Sequence, residues 1–410
     1  MSGKVGPQSI GRGWQAQLYP TVEQAIRLNA WTGMLRFVWN HLLALEKQEY
    51  RATKKFLWQK QLQPIAVALK RQLEFAWLAD LPAHAVLDTV ARLDGALRRM
   101  VSERKAGRRC GFPRFKKKFI REARIYCVGQ ATTILGREAF LPKIGRIKLR
   151  GGDLPYGRLL NARVWRDGHR WMLSAQYECP HPGEMPETGS KLGIDVGLTT
   201  TVTAFDGSDF IEISAPRHLR KALKKLRRAQ RRVARRQKGS NRRKAAGQRV
   251  TALHRRVRHL RQNFLHQTSC RLIAKADRIK LETLNIKGMI KNRRLALSIA
   301  DAGLGGLARM LQYKGAWYGR TVEKIDPWFP STQLCFLCRA KNHAMKELKR
   351  RIFECLECKH REGRDRNAAR NIYWCGEELA PGSERIEKCV ETVVRPPLAE
   401  AVVDEARILA

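Results

Sequence analysis

Two Cys-x-x-Cys pairs near the end of the chain have the clearest metal-binding chemistry in the sequence. Cys335 and Cys338 form the first pair, Cys355 and Cys358 form the second, and sixteen residues separate the pairs. Four thiolates at this spacing can surround one Zn²⁺ tetrahedrally. Because four protein ligands leave no coordination position open, the spacing predicts a structural zinc site rather than a catalytic one.

Three acidic residues form a second candidate group. Asp195 lies inside the apolar stretch LGIDVGLTT, Glu282 follows the apolar stretch IKL, and Asp365 begins a helix-like segment just after the cysteines. An Asp buried in a strand is costly unless it is paired or binds a cation. Carboxylates are preferred ligands of Mg²⁺, and two such ions can activate water and stabilise the charge that develops during phosphodiester cleavage. This order predicts an RNase H-like nuclease core with catalytic Mg²⁺ at these residues, although each one alone fits a helix cap or a surface ion pair.

The charge of the chain indicates a polyanionic partner. The 410 residues carry a formal net charge of +44, and so basic a surface repels itself unless a polyanion neutralises it. Nucleic acid is therefore the expected partner. A basic membrane-surface protein is the alternative, but the sequence has no long apolar run and no signal-peptide core. The six cysteines outside the pairs have no regular spacing, which suits a reducing cytoplasm.

The first part of the chain alternates between strand and helix patterns. Residues 11–19 alternate like a strand, and Thr21 with Gln24 has the spacing of a capping box before an apolar helical pattern. Further helices are predicted at 61–75 and after Pro82.

From residue 125 to residue 177 the pattern turns to strands, with a hairpin turn at Asp167-Gly168. Together with the first strand, these predict a small β-barrel-like domain that a helical domain interrupts. The Pro-rich stretch at 181–190 then predicts a linker.

Two basic stretches are the candidate nucleic-acid contacts. Residues 108–119 interleave cations with aromatic rings, so that cations can bind phosphates while the rings pack or stack. Residues 217–276 contain no acidic residue and have the apolar spacing of a helical hairpin. A helix pair so one-sided in charge predicts contact with a nucleic-acid backbone rather than a solvated face. The residues that we assign to backbone contacts are Arg114, Lys116, Lys117, Lys118, Arg227, Arg228, Arg231 and Arg235.

Several connecting segments are predicted to be irregular. Residues 237–247 are predicted as a flexible basic loop between the two hairpin helices. Residues 292–304 are predicted as a loop or lid with hinge glycines at its end. Beyond Cys375 the charge balance reverses, and residues 377–410 predict a mobile acidic tail.

Four stretches carry a resemblance to a known family: GIDVGLTTTVT, IKLETLNIKGM, DPWFPSTQLCFLC with CLEC, and GRDRNAARNIY. They resemble the RuvC and zinc-ribbon motifs of TnpB, a family encoded by insertion sequences and related to type V CRISPR effectors. The stretches QLYPTVEQAIRLNAWTGMLRFVWN and GFPRFKKKF are similar to TnpB as well. The resemblance therefore covers most of residues 14–375.

The resemblance implies an RNA-guided DNA endonuclease that pairs a guide RNA from the transposon end with target DNA and reads a short motif beside the target. By motif match, Asp195, Glu282 and Asp365 take the RuvC carboxylate positions, and the four cysteines take the zinc positions. Guide RNA and target DNA are the implied partners of one copy of the chain. The implied location is the prokaryotic cytoplasm, near the nucleoid and away from membranes.

The resemblance also implies a multidomain α/β organisation, in which a RuvC-like core receives helical and zinc-ribbon insertions. The implied segments are a wedge domain at 1–19 and 108–180, a helical recognition domain at 20–107, a linker at 181–190, a RuvC-like nuclease domain at 191–330 and 363–376 with the hairpin 217–276 inside it, a zinc ribbon at 331–362 and the acidic tail at 377–410.

Three other functions share parts of this pattern. A guided DNA-binding repressor without cleavage would need a displaced carboxylate, and a strand-joining DNA transposase can use a similar acidic trio. A compact type V CRISPR effector differs mainly in the origin of its guide. Many relatives carry an acidic residue shortly before the last Asp of this motif, whereas GRDRN has Gly363 and Arg364 there. This difference removes no carboxylate of the trio.

Overall fold

The structure is a computed structural model that describes residues 9–117, 124–347 and 349–376. The chain divides into two compact units, with the boundary between Pro180 and His181. The predicted nucleic-acid contact Lys118 and the predicted tail at 377–410 lie outside the described residues.

Seven antiparallel strands form the sheet of the first unit. They are β1 (Ser9–Tyr19), β2 (Ile125–Val128), β3 (Thr133–Leu135), β4 (Glu138–Leu141), β5 (Gly145–Gly151), β6 (Arg158–Asp167) and β7 (Arg170–Pro180). Their order across the sheet is β2-β6-β7-β1-β5-β4-β3. The opposite edges β2 and β3 are joined by residues 129–132 alone, and five residue steps span at most about 18 Å. The sheet therefore curls into an open, barrel-like form. A two-residue turn at Gly168-His169 joins β6 to β7, one residue later than the predicted Asp167-Gly168 turn.

Three helices lie between β1 and β2 in the sequence. They are α1 (Val22–Thr53), α2 (Gln59–Leu69) and α3 (Ala83–Lys105). The predicted capping box forms, because the Gln24 N–H donates to Thr21 Oγ1 and the Thr21 N–H donates to Gln24 Oε1. The predicted helix at 61–75 was too long: the chain turns after α2, and a separate 3₁₀ helix occupies Leu73–Asp80.

The second unit contains a five-stranded sheet of mixed direction. Its strands are β8 (Lys191–Asp195), β9 (Thr200–Phe205), β10 (Phe210–Ser214), β11 (Arg278–Leu281) and β12 (Thr321–Lys324), in the order β10-β9-β8-β11-β12. The pairs β10/β9 and β9/β8 are antiparallel, whereas β8/β11 and β11/β12 are parallel. Leu192 and Ile194 of the central strand β8 are buried in the main apolar core. The carboxyl end of such a strand is where an α/β sheet commonly places a functional site.

The described part of the second unit also contains helices and one small hairpin. They are α4 (His218–Ala234), α5 (Asn241–Lys275), α6 (Ile286–Ile290), α7 (Ala296–Ala302), α8 (Leu304–Trp317), the hairpin strands β13 (Ile352–Glu354) and β14 (Arg361–Gly363), and α9 (Arg364–Trp374). None of the helices in the described residues is both long and apolar enough to cross a membrane.

Two segments predicted as loops are helical instead. Helix α5 begins inside the predicted loop 237–247, because the Ser240 hydroxyl accepts the Arg243 N–H and caps the helix. The predicted lid at 292–304 contains α7. Its Asp301 carboxylate accepts the Leu219 N–H at 2.8 Å and the Arg220 N–H at 3.1 Å, at the start of α4. Asp301 therefore fastens this segment to the helical hairpin.

The predicted linker at 181–190 is bound along its second half to the second unit. The Asp277 carboxylate accepts the N–H groups of Thr188 and Gly189, the shorter of these bonds being 2.7 Å. The Met185 N–H also donates to the Tyr318 carbonyl. These bonds fix the chain just before it enters β8.

Candidate functional site

The first two carboxylates lie side by side because of the register of two parallel strands. Asp195 is the last residue of β8, and Glu282 directly follows Leu281 at the end of β11. The ladder pairs Leu281 with Ile194, so Glu282 is level with Asp195 at the carboxyl end of the sheet. The two carboxyl groups are hydrogen-bonded to each other.

Burial gives these carboxyl groups an unusual electrostatic state. Asp195 is 6% exposed. Burial, followed by the negative charges of Glu282 and Asp365, raises the pKa of Asp195 well above its usual range, and the Arg364 guanidinium opposes this rise. A hydrogen bond between two carboxyl groups needs a proton between them, so the trio is not stable in a fully ionised form without a counter-ion. Bound cations would take the place of that proton, and oxygen ligands of this kind suit hard cations.

The third carboxylate reaches the same place from α9. Asp365 lies in the first turn of that helix, and its charge raises the pKa of Asp195. The helix crosses β8 at Gly193, where an added Cβ atom would lie 2.3 Å from the backbone nitrogen of Tyr373. Only glycine therefore lets the backbone of α9 approach β8 so closely.

Replacing Gly193 by alanine should push α9 away from β8. The new Cβ atom would also lie 2.5 Å from the Ala369 carbonyl oxygen. Because both neighbours are backbone atoms, the helix must shift, and we expect the free energy of unfolding to fall by about 1–3 kcal/mol. Denaturant unfolding measures this loss. Gly247→Ala is the matched control, since no atom lies within 4 Å of its added Cβ inside α5. Equal stability of the two variants would contradict the close packing.

The four predicted zinc ligands form a second cluster. Their sulfur atoms all lie within 4.8 Å of one another. The Sγ–Sγ distance is 3.6 Å between Cys335 and Cys358, and 3.4 Å between Cys338 and Cys355. Sulfurs bound tetrahedrally at about 2.3 Å from one zinc ion lie about 3.8 Å apart, so this set fits a closed thiolate site. Among the described residues no other His, Cys, Asp or Glu group is so compact.

Two buried asparagines, one helical turn apart on α9, bind the backbone next to the cysteine cluster. The side-chain amides of Asn367 and Asn371 each donate to the Leu334 carbonyl at 2.7 Å, and Asn371 also donates to the Ser331 carbonyl at 2.8 Å. In return, Asn367 Oδ1 accepts the Phe336 N–H at 3.2 Å. Both asparagines are fully buried, so losing these partners would cost about 1–3 kcal/mol for each unpaired group. We call these two residues the asparagine latch.

Two arginines on another side of α9 hold the helix to the sheet. Arg366 Nε donates to Glu212 Oε1 on β10 at 2.6 Å. The Arg370 guanidinium lies 4.5 Å from the centroid of the Phe205 ring on β9 and 4.5 Å from that of Phe336, which lies between the first two cysteines. The sheet and the cysteine cluster are therefore both bound to the helix that carries the third carboxylate.

The predicted nucleic-acid contacts differ in exposure. Six are exposed, at the end of the first basic stretch or on and just after α4: Arg114, Lys117, Arg227, Arg228, Arg231 and Arg235. Lys116 is different, because its Nζ is buried and lies 3.6 Å from the centroid of the Trp39 ring. The Asn40 side chain also binds the Lys116 backbone N–H and carbonyl. The Lys116 ammonium group is therefore buried, whereas the predicted contact with a nucleic-acid backbone requires it at the surface.

Sequence reasoning missed the residues that position α9, namely Gly193 and the asparagine latch. A signal was present in the stretch RNAARN, where Asn367 and Asn371 are four residues apart and separated mainly by alanines. On a helix this spacing places both amides on one face. Their partners are backbone carbonyls, which no side-chain pattern reveals.

Family models match three parts of the chain. Residues 174–293 match OrfB of IS605, described as a probable transposase, and residues 305–372 match the TNB domain of Cas12f1-like proteins. Residues 11–55 match a model described as a helix-turn-helix domain. In this chain that stretch forms β1 and the single continuous helix α1, so the description does not fit its local structure.

Comparisons over the whole chain agree with these matches. A protein of Streptomyces pristinaespiralis named "Putative RNA-guided DNA endonuclease" is 31% identical over 396 residues, which are 92% of this chain and 94% of that protein. InsQ of Escherichia coli strain K12, which carries the same description, is 27% identical over 90% of this chain and 94% of that protein. The cryo-EM structure of a Cas12f1–sgRNA–target DNA complex is similar with a TM-score of 0.56 at 13% identity, over 90% of this chain and 99% of that one.

The fold is therefore the multidomain α/β fold of Cas12f1-like proteins. By its sequence, the chain belongs to the TnpB family of insertion-sequence proteins, as its motifs indicated.

Proposed function

We propose that the chain is an RNA-guided DNA endonuclease encoded by an IS605-type insertion sequence. The observation that carries this proposal is the convergence of Asp195, Glu282 and Asp365 at the carboxyl end of one sheet. Relatives that share nearly the whole length of the chain are named for the same activity. The guide RNA and the target DNA would be its partners, and they would neutralise the net charge of +44.

The five-stranded sheet would be an RNase H-like, RuvC-type nuclease core. The first three of its strands in chain order are antiparallel neighbours, and the fourth and fifth extend the other side of the first in parallel. The carboxylates stand at the end of the first strand, after the fourth strand, and on the helix that follows the cysteine cluster. In the first unit, the curled sheet would be the wedge domain, and the helices at 20–107 the recognition domain.

Each group of the site would have a distinct part in DNA cleavage. Asp195, Glu282 and Asp365 would hold two Mg²⁺ ions, which supply an activated water and stabilise charge on the attacking and leaving oxygens. Asp195 and Glu282 would give up their shared proton when cations bind. The Arg364 guanidinium would balance part of the remaining negative charge. The four cysteines would hold a structural zinc ion that stabilises the segment before α9.

The exposed arginines of α4 would bind the nucleic-acid backbone. Arg227, Arg228, Arg231 and Arg235 are all exposed, and no acidic residue lies anywhere in the hairpin. Such contacts position a strand without reading its sequence, and they weaken as the salt concentration rises.

A guided DNA-binding repressor is the main alternative. A repressor has no need of a carboxylate trio, and a buried acid with two more carboxylates beside it is costly without cations. All three are present here and lie within electrostatic reach of one another. This supports a nuclease.

The decisive experiment measures cleavage with and without Mg²⁺. The protein is purified with its co-purified RNA, dialysed into Mg²⁺-free buffer without a chelator so that zinc is kept, and mixed with duplex DNA that matches or does not match the sequenced RNA. We expect product only from the matched duplex and only after Mg²⁺ is restored. A shifted complex without product would indicate a repressor, and joined strands would indicate a transposase. The sequence of the RNA separates a transposon-end guide from a CRISPR-repeat guide.

A further inference from the structure

Four cations surround a single carboxylate in the first unit. Asp88 and Arg92 lie on α3, Lys116 in the loop after it, Arg124 just before β2, and Arg163 on β6. Asp88 Oδ1 accepts from Arg163 Nη2 at 3.1 Å, and Asp88 Oδ2 lies 3.9 Å from Arg92 Nη1. We call these residues the α3 cation cluster. Its three guanidinium groups alone exceed its one negative charge by two, and Lys116 adds to this excess when it is protonated.

The polar atoms of the α3 cation cluster are incompletely paired. Lys116 Nζ, Arg92 Nη1 and Asp88 Oδ2 are buried and have no hydrogen-bond partner. Burial, and then the charge of Arg92, lowers the pKa of Lys116 to about 7. Burial also lowers the pKa of Arg92. Charges that are crowded in this way repel one another, and unpaired buried donors are costly. The cluster therefore weakens the protein when no ligand is bound.

The ammonium group of Lys116 is not needed to hold the loop after α3 in place. Asn40 already binds both the N–H and the carbonyl of Lys116, at 2.8 Å and 3.1 Å. The Trp39 indole N–H donates to the Arg114 carbonyl at 3.2 Å. A neutral side chain at position 116 would leave these backbone bonds intact. The backbone bonds of the loop therefore do not require a cation here, and the cation–π contact with Trp39 is the one structural contact of the Lys116 ammonium group among the described residues.

Part of the cluster is open to solvent. The side chains of Arg92 and Arg163 are 36% and 35% exposed, and Arg124 is exposed. Arg163 lies over the Tyr126 ring and Arg124 over the Trp165 ring, at 5.3 Å and 5.5 Å from the ring centroids. The rings orient guanidinium groups, whose several N–H donors match the oxygens of a phosphate. The charges of Lys116 and Arg92 interact, so Lys116 adds to the positive field of the cluster when it is protonated.

We infer that the α3 cation cluster binds one phosphodiester group of a nucleic-acid strand through Arg92, Arg124 and Arg163. The phosphate would neutralise one of the excess positive charges and would accept hydrogen bonds from the exposed guanidinium N–H groups. The identity of that strand rests on the proposed function, which supplies both a guide RNA and a target DNA. The site itself follows from the charges and the unpaired atoms.

The proposal predicts opposite effects on stability and on binding, which an ordinary surface arginine would not produce. Arg92→Gln removes one repelling cation, so the melting temperature of the RNA-free protein should stay the same or rise. Lys116→Gln removes another but also loses the contact with Trp39, so its melting temperature should change little. Arg99→Gln, at an exposed position on the same helix, is the matched control. A fall in melting temperature for both variants, with unchanged nucleic-acid binding, would assign the cluster a structural role and overturn the proposal.

Inorganic phosphate is the first probe, and it works without a guide. At constant ionic strength, phosphate in place of chloride should raise the melting temperature of the wild type and of Arg99→Gln, but should raise that of Arg92→Gln and Lys116→Gln less. Equal protection of all four proteins would overturn the proposal. Because this measurement involves neither RNA nor cleavage, its result is independent of the proposed nuclease function.

Nucleic acid is the second probe, and its two arms identify the source of the phosphate. Binding of the co-purified guide RNA and of a matched DNA duplex is measured across a salt series for each protein. Arg92→Gln should lower the slope of log K against log salt by about 1 for the strand that occupies the cluster, with the slope for the other unchanged. Unchanged slopes in both arms would overturn the proposal.

Discussion

An Asp195→Asn variant should lose cleavage of guide-matched DNA by at least about 10³-fold, which is about 4 kcal/mol of transition-state stabilisation, while it melts at or above the wild-type temperature. The amide cannot hold a hard cation as a carboxylate does. It can still hydrogen-bond to Glu282. The substitution also removes a buried acid whose pKa is raised by burial and by the negative charges of Glu282 and Asp365. Activity and stability should therefore change in opposite directions.

Cleavage rates at saturating Mg²⁺ and thermal melts of the metal-free protein test this pair of effects, and guide-RNA binding should be unchanged. Asp206→Asn is the matched control in the β9–β10 turn, where the Asp206 carboxylate accepts the N–H groups of Ser208 and Asp209 at 3.0 Å and 2.8 Å. There we expect full cleavage and a lower melting temperature, because a neutral oxygen is a weaker acceptor. Wild-type cleavage by Asp195→Asn would remove Asp195 from the catalytic set.

The carboxylate trio was predictable because each member lies where the hydrophobic pattern changes. Asp195 interrupts an apolar stretch, Glu282 follows another, and Asp365 opens a helix, and the structure ends β8 at Asp195. These boundaries depend on local sequence. The side-by-side placement of Asp195 and Glu282 also depends on the register between β8 and β11. That register joins residues more than eighty positions apart in the chain, so the sequence indicated the candidates but not their alignment.

Features that depend on contacts with distant parts of the chain were not predictable. Helix α7 has seven residues, too few for a clear period, and Asp301 anchors it to the start of α4 about eighty residues earlier. Lys116 belongs to a run of lysines that looks uniformly exposed in the sequence. Only the path of the loop over Trp39 distinguishes it from Lys117. Charge and periodicity predict the usual exposure of a residue type in a segment. The burial and contacts of Asp301 and Lys116 depend instead on a single tertiary neighbour each.

Removal of one zinc ligand should abolish cleavage by a route that differs from the loss of a carboxylate. In a Cys355→Ser variant we expect zinc content to fall from about one ion per chain towards none. We expect the melting temperature to fall by roughly 10 °C, because a structural zinc site contributes several kcal/mol and each one shifts the midpoint by about 2–4 °C. Metal analysis and thermal melts measure both effects. Cys110→Ser, outside the cluster, should change neither.

Asp365→Asn should affect cleavage without lowering stability. Asp365 lies on α9, the helix that links the cysteine cluster to the carboxylates. The zinc content of the variant should match that of the wild type and its melting temperature should not fall, because the substitution removes a negative charge beside Asp195, whereas cleavage should be lost. The two variants together would show that the thiolates stabilise the fold and the carboxylate acts in the reaction. Equal losses of stability in Cys355→Ser and Asp365→Asn would contradict that division.

The asparagine latch allows a test of the link that α9 makes between the cysteine cluster and the carboxylates. Asn371→Ala breaks this link but alters neither a thiolate nor a carboxylate. This variant leaves the carbonyls of Ser331 and Leu334 with fewer donors. We expect normal zinc content, a loss of about 1–3 kcal/mol in stability, and cleavage about 10–100-fold slower with a higher Mg²⁺ requirement, as when a metal ligand loses its support. A higher Mg²⁺ requirement would mean that Asp365 has moved, since lower stability alone does not change it. If Asn371→Ala melted early but cut at the wild-type rate and Mg²⁺ dependence, the cysteine cluster would serve stability alone, and α9 would not transmit its position to the carboxylates.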